Sequence, residues 1–133
     1  MTQYRHSNEL DALSRWEAIF TALRAEPRRE LLLSLRSVGA DQSVPLPRSA
    51  VGKQSRRNIE AIELELIHHH LPLLADNHFI EWEKQPFQAT RGPRFEEILS
   101  VVELLMANAS FVPESLRLTS LEALSNHQTE SAN

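Results

Sequence analysis

Three consecutive histidines, His68, His69 and His70, are the residues whose type most directly suggests chemistry, because imidazole binds metals and exchanges protons near neutral pH. They fall in a helical pattern, where consecutive side chains point about 100° apart, so three rings in a row cannot converge on one ion. No His-x-x-x-His spacing occurs among them or with His78. We therefore expect no metal site, with one histidine buried and hydrogen-bonded and the others exposed.

A second group of candidate residues is basic and lies between Gln42 and Ile59, a stretch without any acidic residue. Its cations could hold DNA phosphates, and its polar side chains could add hydrogen bonds to phosphates or base edges. The candidate DNA-binding residues of this segment are Arg48, Lys53, Gln54, Ser55, Arg56, Arg57 and Asn58. The alternative is a solvated loop whose charge only keeps the protein soluble. Glu60, Glu63 and Glu65 follow and would repel phosphates, so they point away from DNA or their helix does not enter it.

Composition restricts the other chemistries that the chain could perform. Its 133 residues include no cysteine and only 3 glycines, which excludes disulfides, thiolate metal sites and glycine-rich phosphate loops. No nucleophile motif frames a serine, and acidic residues are scattered over amphipathic faces, so we expect neither enzyme activity nor a cofactor. The net charge of −4 means that DNA binding must depend on local basic patches. Without a signal-like or membrane-spanning apolar run, a cytoplasmic protein is expected.

The elements that position these residues are mostly helical. Apolar residues at three- and four-residue spacing predict a first helix over 8–24, capped by Ser7 or Asn8. Pro27 fits the first turn of a second helix, which ends near Gly39. The basic residues of that helix are expected in solvent: Arg28, Arg29 and Arg36. Two nearby prolines make residues 39–58 a loop with at most one short helical turn.

A long helical pattern resumes near Arg57 and is wide enough to imply a largely buried helix. Pro72 lies inside this pattern and would leave the carbonyl of His68 without its usual partner. The sequence therefore predicts a bend or a helix boundary between His70 and Pro72. Asn77 is the expected left-handed residue at the end of the helix.

Two short strands follow, at 79–83 and 87–90, and are expected to form an antiparallel hairpin that leans on the helices. Cations flank this hairpin and could reach the minor groove or the DNA backbone, or could be ordinary surface charge: Lys84, Arg91 and Arg94. Apolar residues at 95–109 then keep close to a heptad spacing and predict a last long helix. A short helix is possible at 110–125, and residues 126–133 are expected to be a disordered tail.

Two segments resemble a known family. Residues 67–82, IHHHLPLLADNHFIEW, resemble a segment of the winged helix-turn-helix proteins that are abundant in haloarchaea. In those proteins the segment runs from the recognition helix into the first strand of the wing. The same residues more distantly resemble the corresponding segment of ArsR-type transcriptional regulators. Residues 20–32, FTALRAEPRRELL, are similar to the entry segment of these proteins. The resemblance implies a mainly helical α+β domain over 8–109, a winged helix-turn-helix with a short β-hairpin wing and a C-terminal dimerisation helix. The family's polar helix before the recognition helix has no clear counterpart, and residues 45–55 stand in its place.

The same resemblance implies an archaeal transcriptional regulator that binds double-stranded DNA as a homodimer. Because the first and last helices form the dimer in ArsR-type proteins, the expected interface consists of Leu10, Leu13, Trp16, Val102, Leu105 and Met106. Alternatively, the last helix only covers the first within one chain. A second interpretation keeps the fold without DNA binding, as a protein-protein interaction module with a partner in transcription. The acidic residues at 60–65 and the negative net charge favour that alternative.

Overall fold

The computed structural model describes residues 2–53 and 55–116. These residues form a mixed α+β fold, so the predicted class is confirmed at this level. The helices and strands are α1 (Thr2–Leu23), α2 (Glu26–Arg36), β1 (Val44–Pro45), α3 (Ile59–Glu65), α4 (Leu71–Asp76), β2 (Ile80–Lys84), β3 (Phe87–Arg91) and α5 (Phe95–Ala107). A π-helical turn at Leu66–His70 joins α3 directly to α4, so that 59–76 is one helical run.

The first two helices differ from the sequence prediction at one end each. α1 begins at Thr2 rather than at residue 8, so Ser7 and Asn8 lie inside the helix and not at its start. No proline or glycine occurs in the residues before position 8, so nothing in them opposes a helix. α2 has Pro27 in its first turn as predicted, and it ends at Arg36, three residues before Gly39.

The loop between α2 and α3 contains a strand that the sequence did not indicate. In β1, Val44 lies opposite Ala89 of β3 and Pro45 opposite Gln88. β1 is an edge strand, the position in a sheet where proline is tolerated because its missing N–H is not needed by a further strand. The predicted short helical turn is present as a 3₁₀ turn at Arg48–Ala50.

The sheet has the order β1-β3-β2 and is antiparallel throughout. β2 and β3 pair from Ile80 with Arg91 to Lys84 with Phe87, which confirms the predicted hairpin. The sheet packs on the helices, because Val44, Ile80 and Ala89 are all buried.

The predicted helix boundary before Pro72 takes the form of the π turn. The backbone N–H of Leu71 bonds to the carbonyl of Leu66, five residues back, and α4 starts at Leu71 with Pro72 in its first turn. The N–H that Pro72 lacks is thus missing at the point where the bonding pattern changes from the π turn to α4. The left-handed residue after α4 is His78, with φ of 64°, and not Asn77, whose φ is −92°.

The hydrophobic core is one cluster that draws side chains from α1, α2, β1, the run 59–76, the hairpin and α5. Its largest fully buried side chains include Phe79, Phe95, Leu31, Leu35, Leu71 and Ile98. After α5 the chain forms two 3₁₀ turns, Ala109–Phe111 and Glu114–Leu116, where the start of a short helix was predicted. The rest of that predicted helix, and the predicted tail at 126–133, lie outside the described residues.

Candidate nucleic-acid interface

The basic segment before α3 is exposed at most of its cations. Arg48, Lys53 and Arg56 have exposed side chains, and no described residue forms an ion pair with any of them. The turn that carries Arg48 is anchored to α2, because the hydroxyl of Ser34 donates to the carbonyl of Ser49 at 2.7 Å. The three charged groups are therefore accessible to an external anion.

The other predicted DNA-binding residues of this segment have partners within the chain. Asn58 caps α3, because its Oδ1 accepts from the backbone N–H two residues later at 2.7 Å. The hydroxyl of Ser55 accepts from the backbone N–H of Arg57 at 3.3 Å, and the guanidinium of Arg57 pairs with the carboxylate of Glu65. Gln54 lies outside the described residues. These contacts fix the conformation of the residues that lead into α3.

The solvent face of α3 is acidic and apolar. Ile59 is 49% exposed and Leu64 is 60% exposed, and Glu60 and Ala61 between them are exposed as well. Glu63 is half-buried. Carboxylates repel phosphates and exposed apolar side chains favour contact with protein, so this face by itself does not explain DNA binding.

Arg28 of α2 is buried at 3% exposure, which corrects the expectation that it lies in solvent. Its Nε donates to the carbonyl of Ala22 at 3.2 Å. Its Nη1 lies 3.4 Å from Nε2 of His69 and 3.2 Å from Nδ1 of His70. One guanidinium therefore connects α1, α2 and the π turn. Arg28 shares its helical stripe with three core leucines, a signal that could have predicted its burial: Leu31, Leu32 and Leu35.

His70 is buried at 4% exposure and remains neutral near pH 7. Desolvation lowers its pKa from 6.5 to about 4, and the charges of Arg28, His69 and Arg57 act in the same direction. Because Nδ1 accepts from Arg28, the ring proton lies on Nε2. That Nε2 is 3.5 Å from Oε1 of Glu65. The carboxylate is therefore near the ring, but Nε2 forms no hydrogen bond with any described residue.

The histidine run behaves as predicted, with His70 buried and His68 and His69 exposed. The rings of His69 and His70 lie close together, with centroids 4.9 Å apart, and both face the same guanidinium. Within residues 2–53 and 55–116, no group of three or more histidine, aspartate or glutamate side chains could hold a metal ion.

Arg91, one of the three cations around the hairpin, is engaged inside the protein. Its guanidinium donates to the carbonyls of Leu35 at 3.2 Å and Val38 at 2.9 Å, at the C-terminal end of α2. A cation placed there satisfies carbonyls that the helix leaves unpaired. Its guanidinium is therefore held by contacts within the chain, and its predicted role at DNA stays a prediction. Lys84 and Arg94 are exposed, and no described residue pairs with their charges.

Two of the six predicted dimer-interface residues are instead buried within the chain. Val102 is 8% exposed and Met106 is 3% exposed, because both lie on the side of α5 that packs inside the protein. The other four are exposed at between 44% and 61%: Leu10, Leu13, Trp16 and Leu105. The apolar seam of α5 therefore covers its own chain on one side and presents leucines outward on the other.

An apolar groove of about 620 Å³ lies between α1 and α5. Phe20 and Leu104 line it and are 60% and 61% exposed. The rings of Trp16 and Phe20 stack with centroids 5.6 Å apart along one wall. Neither Phe20 nor Leu104 was among the predicted interface residues, although Phe20 belongs to the apolar stripe of the first helix. The groove adds them to the exposed apolar face.

The fold and these surfaces define the chain as a small α+β protein with an exposed basic segment and an exposed apolar helical face. In the described part of the chain, every helix is too short or too polar to span a membrane. Comparisons with protein-family models, with curated proteins and with solved structures found no match.

Proposed function

We propose that this chain is a winged helix-turn-helix protein of the archaeal type, which binds double-stranded DNA as a homodimer and regulates transcription. The order of its elements supports this proposal: two helices, a short strand, a long helical run, a hairpin and a final helix. The resemblance of residues 20–32 and 67–82 to haloarchaeal winged helix-turn-helix and ArsR-type proteins is a second, independent support. The run 59–76 is then the recognition helix, and β2 with β3 is the wing.

The observation that carries the proposal is a set of exposed cations in the segment that precedes α3, with which no described residue forms an ion pair: Arg48, Lys53 and Arg56. In a helix-turn-helix, the N-terminal residues of the recognition helix approach the base edges. Cations at that end are well placed to hold phosphates, and a homodimer presents the set twice. Lys84 and Arg94 add further charge beside the wing.

The acidic face of α3 determines how the DNA would be held. Because Glu60 is exposed close to the cap Asn58, deep insertion of α3 into the major groove would bring a carboxylate against phosphates. We therefore assign most of the affinity to the basic segment and the wing, and we place α3 beside the groove rather than deep within it. Contacts of this kind are mainly electrostatic, so binding should depend strongly on salt.

The homodimer is assigned to the exposed apolar face of α1 and α5. Its members are Leu10, Leu13, Trp16, Phe20, Leu104 and Leu105. Exposed apolar side chains on two helices that share a groove are removed from water when a second copy covers them, which favours association. Val102 and Met106 support this face from within the chain.

Fluorescence anisotropy of a labelled duplex from the gene's own upstream region tests the proposal. Arg56→Ala should weaken binding and reduce the slope of log affinity against log salt by about 0.9 for each phosphate that a chain no longer neutralises. The matched control is Arg36→Ala, which also removes one cation but takes it from a surface pair with Glu103, outside the basic segment.

Binding that weakens with salt and is reduced by the Arg56 change, but not by the Arg36 change, supports a DNA-binding function. Equal effects of the two variants would mean that the protein responds only to net charge. Absence of binding at low salt would contradict the proposal.

A second candidate function is a protein-protein interaction module, and the solvent face of α3 favours it. Ile59, Glu60 and Leu64 on that face are typical of a surface that meets another protein. Under this alternative, Leu64→Glu abolishes partner binding while the Arg56 change has no effect. The duplex titration distinguishes the two functions, because only the first requires salt-dependent binding to DNA.

A further inference from the structure

Arg57 differs from the other cations of the basic segment because it has an acidic partner. Its Nη2 pairs with Oε2 of Glu65, eight residues further along the chain. Arg57 immediately precedes the cap Asn58, and Glu65 is the last residue of α3. Arg57 remains 47% exposed and Glu65 40% exposed, so the pair is accessible from solvent.

Glu65 is approached from its other side by a buried polar chain. Its Oε1 lies 3.5 Å from Nε2 of His70. The opposite ring nitrogen of His70 lies 3.2 Å from Nη1 of Arg28, and Nε of the same guanidinium donates to the carbonyl of Ala22. Each of the two carboxylate oxygens therefore faces a different partner. The carboxylate lies beside a group that belongs to the core, while its pairing with Arg57 takes place at the surface.

A carboxylate and a phosphate present similar groups to a guanidinium. Both offer two anionic oxygens that accept N–H groups from arginine, and such charge-assisted bonds are stronger than neutral ones. A guanidinium that already faces one carboxylate must release it, or share its N–H groups, to bind a phosphate. The carboxylate of Glu65 thus pairs with the same guanidinium, that of Arg57, that a DNA phosphate would bind.

We propose that Glu65 sets the affinity of this protein for DNA by competing with backbone phosphate for the guanidinium of Arg57. This inference rests on the proposed DNA-binding function and adds a residue that regulates it. Arg57 is paired with Glu65 in the free protein, whereas no described residue forms an ion pair with Arg48, Lys53 or Arg56. Glu65 lowers affinity through one specific partner, beyond the general repulsion that any glutamate exerts on DNA.

The experiment compares Glu65→Gln with Glu63→Gln by duplex anisotropy at low salt. Both changes remove one negative charge from α3, and both glutamates are half-buried. Glu63 forms no ion pair with any described residue, so its replacement reports only the general loss of charge. The glutamine at 65 keeps an oxygen that can face His70, so the fold is expected to survive, which circular dichroism checks. We expect Glu65→Gln to bind about threefold to fivefold more tightly than Glu63→Gln.

The same two changes are then made in an Arg57→Ala background. If Glu65 acts through Arg57, its advantage over Glu63 disappears when the guanidinium is absent. This double-mutant comparison separates competition for Arg57 from any effect that Glu65 has through His70, which Arg57→Ala leaves in place.

An excess affinity of Glu65→Gln that depends on Arg57 supports the inference. Equal affinities of the two glutamine variants overturn it while leaving DNA binding intact. An excess that persists without Arg57 also overturns it. If neither the wild-type protein nor Glu65→Gln binds the duplex at low salt, both the inference and the proposed function fail.

Discussion

At the scale of single residues, the central feature is a buried cation whose immediate partners are not acidic. Arg28 is neutralised by no adjacent carboxylate among the described residues, and burial together with the charges of Arg24 and Arg29 lowers its pKa. Its contacts are a carbonyl and two imidazole rings, which accept hydrogen bonds without adding negative charge. A neutral His70 is therefore required, because a protonated ring could not accept from a guanidinium.

This requirement predicts a loss of stability in mild acid. The unfolded chain binds a proton at His70 below its ordinary pKa of 6.5, whereas the folded chain does so only near pH 4. The unfolded state thus takes up more protons between these values, and the free energy of unfolding falls as pH decreases through that window. Desolvation is the largest cause, and the groups that face the ring are Arg28, His69, Glu65 and, nearby, Arg57.

Urea unfolding at pH 7 and pH 5 measures the effect. The contribution of His70 to the loss should be about 2 kcal/mol, at about 1.4 kcal/mol for each pH unit below 6.5. His70→Gln keeps an acceptor for Arg28 and cannot titrate, so this part of the loss should vanish. His68→Gln, an exposed position in the same π turn, is the control. The same pH dependence in His70→Gln and the wild type would contradict the assignment.

At the scale of elements, periodicity predicted the helices and the hairpin but not the contacts that require the folded chain. β1 escaped prediction because two residues, one of them Pro45, show no alternation and acquire their strand character only by pairing with β3. Arg91 was assigned to DNA because charge is visible in a sequence, whereas the carbonyls at the end of α2 that it meets are not. The pairing of Arg57 with Glu65 spans eight residues and depends on rotamers, which sequence reasoning does not fix.

The junction between α4 and the hairpin depends on a glycine for a steric reason. A Cβ added at Gly92 would meet the backbone carbonyl oxygen of His78 at 2.6 Å and the backbone nitrogen of Ile80 at 2.7 Å. Both neighbours belong to the main chain, and they are fixed in place because the N–H of Gly92 also donates to the carbonyl of Phe79 at 2.9 Å. The hairpin can therefore close on α4 only if this position has no side chain.

Gly92→Ala should accordingly destabilise the protein by about 2 kcal/mol, since backbone must shift to admit the methyl group. Gly39→Ala is the matched control, because its Cβ would meet only the side chain of Gln42, at 3.5 Å. Thermal unfolding followed by circular dichroism compares the two variants. A Gly92 variant no less stable than the Gly39 variant would show that the junction has more room than its distances indicate.

At the scale of the whole molecule, the described residues separate two kinds of exposed surface. Unpaired cations precede α3 and flank the hairpin, whereas most of the exposed large apolar side chains lie along α1 and α5, with Ile59 and Leu64 on α3 as the exceptions among the helices. This separation suits a protein that uses one surface for a second copy of itself and another for a charged ligand. It also makes the two surfaces independently testable, because a change in one leaves the other intact.

Leu104→Glu should convert the proposed dimer to a monomer, because two charges would be buried without partners at the interface. Leu64→Glu is matched to it in residue type and exposure, 60% against 61%, and lies on α3. Sedimentation velocity of the wild type and of both variants gives their masses in solution. A monomeric wild type, or dissociation of both variants alike, would exclude this face as the specific interface.

The π turn at Leu66–His70 has a consequence for sequence comparison. A π-helical hydrogen bond joins an N–H to the carbonyl five residues back, so its turn holds one residue more than an α-helical turn. The run 59–76 therefore contains an extra residue, and the buried sides of α3 and α4 still face the core. Chains of different length can therefore share the same packing before and after this turn. An alignment of this chain with relatives should permit a one-residue gap inside the helix, at the histidines, instead of moving it to a neighbouring loop.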